Sequence, residues 1–176
     1  PQLKVIGMHR DKVKEINSKA IDDKKLYSAA AEVWNDALAL AKKYGVRNSQ
    51  VTVIAPTGTI ALMMDCTCTG VEPLFAPVVY KQLVGGGYMK LVADTVPAAL
   101  KKLGYTPKQS AVIMSWIEEK GMVEGAPELK EEHLAVFDCA VKSANGKRTI
   151  SWQGHVKMVS AVQQFVSGAI SKTFNM

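Results

Sequence analysis

Residues 51–64, VTVIAPTGTIALMM, change character halfway, and no other stretch constrains the fold as much. Val51, Thr52, Val53 and Ile54 are β-branched and nearly all apolar, which predicts a strand. Apolarity at successive positions suits a parallel strand covered on both faces. Pro56-Thr57-Gly58-Thr59 then leads into the apolar run from Ile60 to Met64, so a buried helix is expected to start near Thr57 and end before DCTCTG. A strand entering a helix through small residues makes an anion site. The first helical amides lack partners within the helix, and the helix dipole is positive there. Gly58 would let a phosphate approach the backbone, and Thr57 and Thr59 offer hydroxyls. The P-loop spacing G-x-x-x-x-G-K-[ST] is absent. The competing expectation is an ordinary helix start, in which Thr57 is the N-cap and Gly58 relieves crowding.

Helical patterns surround this segment. In KLYSAAAEVWNDALALAKKYG, residues 25–45, Leu26, Ala30, Val33, Ala37 and Leu40 recur at helical steps and predict one apolar face, with Gly45 as the stop. APVVYKQLVGGGY, residues 76–88, reads as a strand running into a glycine loop, and Gly85-Gly86-Gly87 reads as punctuation between strand and helix. MKLVADTVPAALKKLG and PKQSAVIMSWIEEKG predict two helices, with Pro107 in the first turn of the second. A short helix around PELKEEHLAVF, the polar turn SANGKR and a final helix with Val156, Val159, Val162 and Phe165 buried complete the pattern. Trp34, Trp116 and Trp152 are expected in core or interface positions, and His155 in a capping or packing role. Glu72-Pro73 reads as a structural turn, and Lys172 as facing either a site or solvent.

Composition narrows the class. The 176 residues fit one domain or a large piece of one, and the start at Pro1 suggests a processed chain or a fragment. No run of eighteen uncharged apolar residues occurs, so no membrane span is expected. The +6 net charge is dispersed over separate lysine pairs, which favours a solvated surface over nucleic-acid binding. Three cysteines, Cys66, Cys68 and Cys139, argue against a disulfide framework and fit a reducing cytoplasm. Cys66-Thr67-Cys68 is not C-x-x-C, and His133 and His155 lack finger spacing, so no metal site is expected.

RNSQVTVIAPTGTIALMMDC, VEPLFAPVVYKQLVGGGYMK, EGAPELKEEHLAVFDCA and GHVKMVSAVQQFVSGAISKTFNM, in that order, resemble consecutive segments of the adenosylcobalamin-dependent (class II) ribonucleotide reductases. The resemblance is strong from about residue 46 onward and loose before it. It implies an α/β fold: a late, helix-rich portion of a ten-stranded barrel. Residues 1–176 would be a fragment of one catalytic barrel domain. It would be helical over 1–48, with the strand-turn-helix phosphate segment at 49–66. A helical middle would follow at 88–137, then a helix and a barrel strand at 152–176, the strand being AISKTFN. The resemblance places the substrate phosphates at Ala55, Pro56, Thr57, Gly58, Thr59 and Ile60, at the start of a helix aimed at the nucleotide.

The family's chemistry, as the resemblance implies it, is a radical relay. Adenosylcobalamin generates a thiyl radical on a finger-loop cysteine, a cysteine pair supplies electrons, and a dithiol reductant restores them. The finger-loop pattern Asn-x-Cys-x-Glu is absent from this chain, and Cys66, Cys68 and Cys139 do not match the catalytic cysteines. No catalytic residue is therefore expected here. The chain is expected to act in the cytoplasm with the remainder of a reductase chain and a ribonucleotide substrate. Two departures stand out: DCTCTG where the family commonly has Asp-Cys-Asp-Thr-Thr-Gly, and Gln153 where Met is common before the glycine of GH. A non-enzymatic nucleotide-binding or assembly module derived from the same barrel is the alternative.

Overall fold

The computed structural model describes residues 1–174. Its contacts divide the chain into two units, Pro1–Ala55 with Val156–Ser171, and Pro56–His155 with the segment from Lys172 onward.

In the first unit, α1 (Gln2–Val13) packs on α2 (Lys24–Tyr44). Asp23 starts α2 by accepting hydrogen bonds from the amides of Lys25 (2.9 Å) and Leu26 (3.2 Å), and Gly45 follows the last turn. The inner face differs from the expected one. Leu38 and Ala41 are buried and Ala30, Trp34 and Ala37 half-buried, whereas Leu26, Val33 and Leu40 are exposed. Trp34 packs on the buried His9 ring, 5.0 Å between centroids, and His9 Nδ1 donates to the Gln164 carbonyl.

The expected strand at 50–55 is reduced to a parallel bridge between Ile54 and Ile170. Three backbone bonds make it: Gly168 N to Thr52 O (2.8 Å), Ile54 N to Ala169 O (3.0 Å) and Ser171 N to Ile54 O (2.9 Å). The Ser167 hydroxyl accepts from the Val51 and Thr52 amides at 3.0 and 3.1 Å. A Cβ at Gly168 would stand 2.6 Å from the Thr52 carbonyl, so only glycine fits this approach. The pairing is parallel, as expected, but Val51 and Val53 are exposed and not covered on both faces. Of the expected strand AISKTFN, Ile170 pairs and Asn175 lies outside the described residues.

The second unit opens with α3 (Gly58–Met63), then β1 (Val78–Gln82), β2 (Tyr88–Val92), α4 (Thr95–Lys102) and α5 (Pro107–Lys120). A 3-10 helix, Glu131–Phe137, follows, and α6 (Trp152–Gln163) contributes its first turn here and the rest to the first unit. β1 and β2 form an antiparallel hairpin with Val78 opposite Val92 and Gln82 opposite Tyr88. Residues 88–92 are thus a strand, where a helix beginning at Met89 was expected. The glycine turn reverses the chain and gives β2 a partner in β1, and that pairing overrides the helical pattern continuing into α4.

The core unites Val78, Val96, Leu100, Ile113, Ile117, Val123 and Ala126; Leu100, Ile113 and Ile117 are fully buried. α5 starts with a capping box: Thr106 Oγ1 accepts from Gln109 N (3.3 Å) and Gln109 Oε1 accepts from Thr106 N (3.0 Å), with Pro107 in the first turn. The SANGKR turn is held by Glu124, whose carboxylate accepts from Lys147 N and Arg148 N, each at 2.8 Å. α3 is not a buried helix: Ala61 is buried, but Ile60, Leu62 and Met63 are exposed. On α6 only His155 is buried; Val159 and Val162 are half-buried, and Trp152, Val156 and Met158 are exposed.

Candidate functional site

Thr57 governs the turn that leads into α3. Its backbone lies in the left-handed region, φ 50° and ψ 31°, an uncommon state for a β-branched residue. Its carbonyl accepts from Ala61 N at 2.7 Å, closing the first turn. Its side chain does not cap the helix; Oγ1 instead accepts from Gly70 N at 2.8 Å. Thr57 thus stands at the N-cap position, as expected, but its side chain does not do the capping, since the hydroxyl is committed to the 69–72 turn. Among the described residues, the amides of Gly58, Thr59 and Ile60 donate to no group of the chain. All three residues are exposed, and a Cβ placed on Gly58 meets nothing within 4 Å. Free amides at the positive end of a helix suit an oxyanion. Pro56 through Ile60 belong to the second unit, while Ala55 closes the first.

A second group of polar side chains gathers where the chain leaves Gly70. Glu72 N donates to Thr69 O at 3.0 Å, forming a turn. The Glu72 carboxylate accepts from Lys172 Nζ and from Thr173 N, the latter at 2.6 Å. Lys172 Nζ also donates to Thr173 O at 2.8 Å and lies 5.7 Å from the Phe174 ring centroid. Burial pushes the Glu72 carboxyl up, but the Lys172 and Thr173 hydrogen bonds and the Lys172 charge together outweigh it and hold it below the usual range. His155 stands edge-on to Phe174, with ring centroids 6.3 Å apart, and is 2 % exposed. Burial, then the Lys172 charge, lowers its pKa, against an opposing pull from Glu72. This fits the packing role expected of His155. The Lys172 side chain, itself 2 % exposed, does not reach solvent.

No sequence pattern pointed to the Glu72–Lys172 pair. Lysine within an alternating apolar segment was the available signal, but its partner lies 100 residues away. The cysteines are differently placed. Cys66 is exposed and Cys139 buried, its thiol pushed up to about 11 by burial, with Asp138 and Cys68 adding to the shift. Cys68 is half-buried; its thiol is raised by burial and then by Asp94, whose carboxylate accepts from the Thr67 hydroxyl at 2.6 Å. Neither Cys68 nor Cys139 is therefore poised as a thiolate nucleophile. Beside these groups are two grooves. One, about 460 Å³, is lined by Phe75, Val79, Met89 and Leu91 with Asp65 and Asp94 at its polar end. The other, about 230 Å³, is lined by Cys68, Glu72, Phe75 and Thr173.

Comparison with known proteins assigns this arrangement to a class. The family model for the ribonucleotide reductase barrel domain matches residues 4–176, and the chain belongs to that family. It is 52% identical over 176 residues to a vitamin B12-dependent ribonucleotide reductase of Rhodopirellula baltica, covering all of this chain and 17% of that protein. It is 49% identical over 180 residues to the enzyme of the same name from Streptomyces coelicolor, covering all of this chain and 18% of that protein. A vitamin B12-dependent ribonucleoside-diphosphate reductase of Mycobacterium tuberculosis is 34% identical over 130 residues, 74% of this chain and 17% of that protein. The chain thus spans less than a fifth of the length of these relatives. Its mixed, helix-rich α/β structure fits the family, and among the described residues the paired strands are one hairpin and one parallel bridge.

Proposed function

We propose that this chain is the substrate-phosphate segment of a ribonucleotide reductase and works within a longer polypeptide. The observation that carries this reading is the match to the reductase family over nearly the whole chain, coinciding with a turn of free amides in its PTGTI segment. In this reading Ala55, Pro56, Thr57, Gly58, Thr59 and Ile60 hold the phosphates of a ribonucleotide. The amides of Gly58, Thr59 and Ile60 would donate to phosphate oxygens, and Thr59 would add its hydroxyl. The reaction exchanges the ribose 2′-hydroxyl for hydrogen; water leaves and a dithiol becomes a disulfide. The Ile54–Ile170 pairing represents two neighbouring strands of the ten-stranded barrel, whose remaining strands come from the rest of the polypeptide.

The relatives' names imply adenosylcobalamin as the cofactor that starts the radical chemistry. The two grooves described above do not by themselves enclose a corrin. Grooves of about 230 and 460 Å³ suit ligands no larger than a drug. His9 and His155 are buried, and His133 bonds to the Tyr105 hydroxyl at 2.7 Å, so the histidines serve packing. The cofactor site is assigned to the remainder of the polypeptide, as are the catalytic cysteines and the site of the dithiol. No helix among the described residues is long and apolar enough to cross a membrane, and the reducing cytoplasm is the compartment proposed.

The test is a reduction assay with adenosylcobalamin and dithiothreitol. The longer polypeptide should form deoxyribonucleotide from ribonucleoside di- or triphosphate, and this chain alone should form none. Product from this chain alone would overturn the division between phosphate segment and catalytic segment. Failure of the longer polypeptide to turn over either substrate would overturn the activity itself.

A further inference from the structure

The buried lysine and the left-handed threonine are linked. A left-handed β-branched residue costs about 1–3 kcal/mol and persists only where its surroundings over-determine it. The Thr57 side chain is held by one bond, from Gly70 N. Gly70 itself has φ 56° and opens the turn that Glu72 N closes on Thr69 O. That turn is fixed at its far end by the Glu72 carboxylate, which accepts from Lys172 Nζ and Thr173 N. A buried ion pair is weak evidence of stability, because apolar residues of similar volume often replace one without loss. What it supplies is direction: the carboxylate is gripped by two donors of one segment, and Lys172 is held in turn by the Thr173 carbonyl.

We propose that Glu72 and Lys172 are positioning residues for the phosphate turn. Their ion pair fixes the 69–72 turn, whose Gly70 amide holds Thr57 in the conformation that leaves the amides of Gly58, Thr59 and Ile60 free. This rests on the phosphate reading above, and it assigns to two residues outside the PTGTI segment a share in nucleotide affinity. Neither residue touches the phosphate in this scheme; both act through Thr57.

The test uses the full-length reductase polypeptide and measures KM, kcat and thermal stability together. Lys172→Met and Glu72→Gln should raise the nucleotide KM by roughly tenfold, the scale of one charge-assisted hydrogen bond lost. The rise in KM should exceed any fall in kcat. Thr57→Val, which removes the acceptor, should give a similar rise, and Thr57→Ser and Lys172→Arg should recover most of the loss. The Lys172→Met/Thr57→Val double variant should be no worse than the poorer single, because both cut the same connection. A lower melting temperature with unchanged KM in the pair variants overturns the proposal, as does full additivity in the double variant. If the pair variants do not fold, Thr57→Val against Thr57→Ser decides, and an unchanged KM in both sinks it. Gly58→Val separates the two levels. If it leaves nucleotide KM unchanged, the phosphate reading fails and this proposal with it; if it raises KM while folded pair variants do not, only this proposal fails.

Discussion

Gly58→Val is the sharpest probe of the phosphate turn, because the folded chain has room for it. A Cβ at Gly58 meets no atom within 4 Å, and Gly58 is not among the positive-φ glycines. Surface substitutions free of such constraints usually change stability by less than about 0.5 kcal/mol. In the phosphate reading, the same side chain would crowd the approach of the phosphate to the amides of Gly58, Thr59 and Ile60. Loss of one or two charge-assisted hydrogen bonds there corresponds to roughly 1–3 kcal/mol. At about 1.4 kcal/mol per decade, nucleotide affinity should fall by roughly 5- to 150-fold. Equilibrium binding of a ribonucleotide and of its parent nucleoside to the full-length polypeptide reads this out, alongside a melting curve. The nucleotide should lose affinity, the nucleoside should not, and the melting curve should stay in place. Equal affinity of wild type and variant for the nucleotide, at unchanged stability, would refute the assignment. An equal loss for the nucleoside would refute the phosphate as its cause.

Other outcomes follow from the fold. Ile117→Ala removes a fully buried side chain from the second unit's core and should cost about 2–5 kcal/mol in denaturant unfolding of that unit. Thr106→Ala removes the hydroxyl that accepts from Gln109 N in the α5 capping box, leaving the bond from Thr106 N to Gln109 Oε1, and should cost about 1 kcal/mol, and Thr106→Ser should restore most of it. Acidification should destabilise the fold in two stages. The His155 pKa is depressed, so its contribution, complete above the ordinary histidine value, should decline below about pH 6.5 and be gone beneath the folded value. The Glu72 pKa is depressed too, so its contribution, complete above the ordinary glutamate value, should fade only in more acid solution. Denaturation curves across this range should lose the upper stage in His155→Gln; an unchanged upper stage would refute it. Isolated from a larger barrel, the chain should self-associate or bind a hydrophobic dye, because Val51 and Val53 are exposed on a segment paired only through Ile54, and Ile60 and Met63 are exposed on α3. A sedimenting monomer with a sharp melting transition would contradict this.

Helix boundaries were legible wherever local chemistry sets them. Thr106-Pro107 starts α5 and Gly45 follows α2, as their residue types predict. Which face turns inward was less legible. On α2 Trp34 meets His9 of α1, and Leu38 and Ala41 are buried while Leu26, Val33 and Leu40 are exposed, because the apolar residues of α2 span more than one face and hydrophobicity alone does not rank the faces. The residues of β2 continue smoothly into the helical pattern of α4 and so predict helix, and only the antiparallel partner at Val78–Gln82 makes them a strand. At the candidate site, the turn and its glycine were visible in PTGTI. The role of Thr57 was not, because its hydroxyl answers to Gly70, thirteen residues on. The Glu72–Lys172 pair is a tertiary fact of the same kind.

The hairpin tip has a consequence for how this surface can diverge. Gly85, Gly86 and Gly87 have φ values of 99°, 96° and 87°, and none of them touches anything that a side chain would displace. By burial alone they are permissive positions, since all three are exposed. By backbone they are not, since L side chains rarely adopt such angles. Every single-base change that replaces glycine in these codons introduces an L side chain, so point substitution strains the turn at each position. Glycine is therefore expected to persist at all three positions among relatives although nothing packs against them, and an alignment would show the turn held by backbone geometry and not by burial.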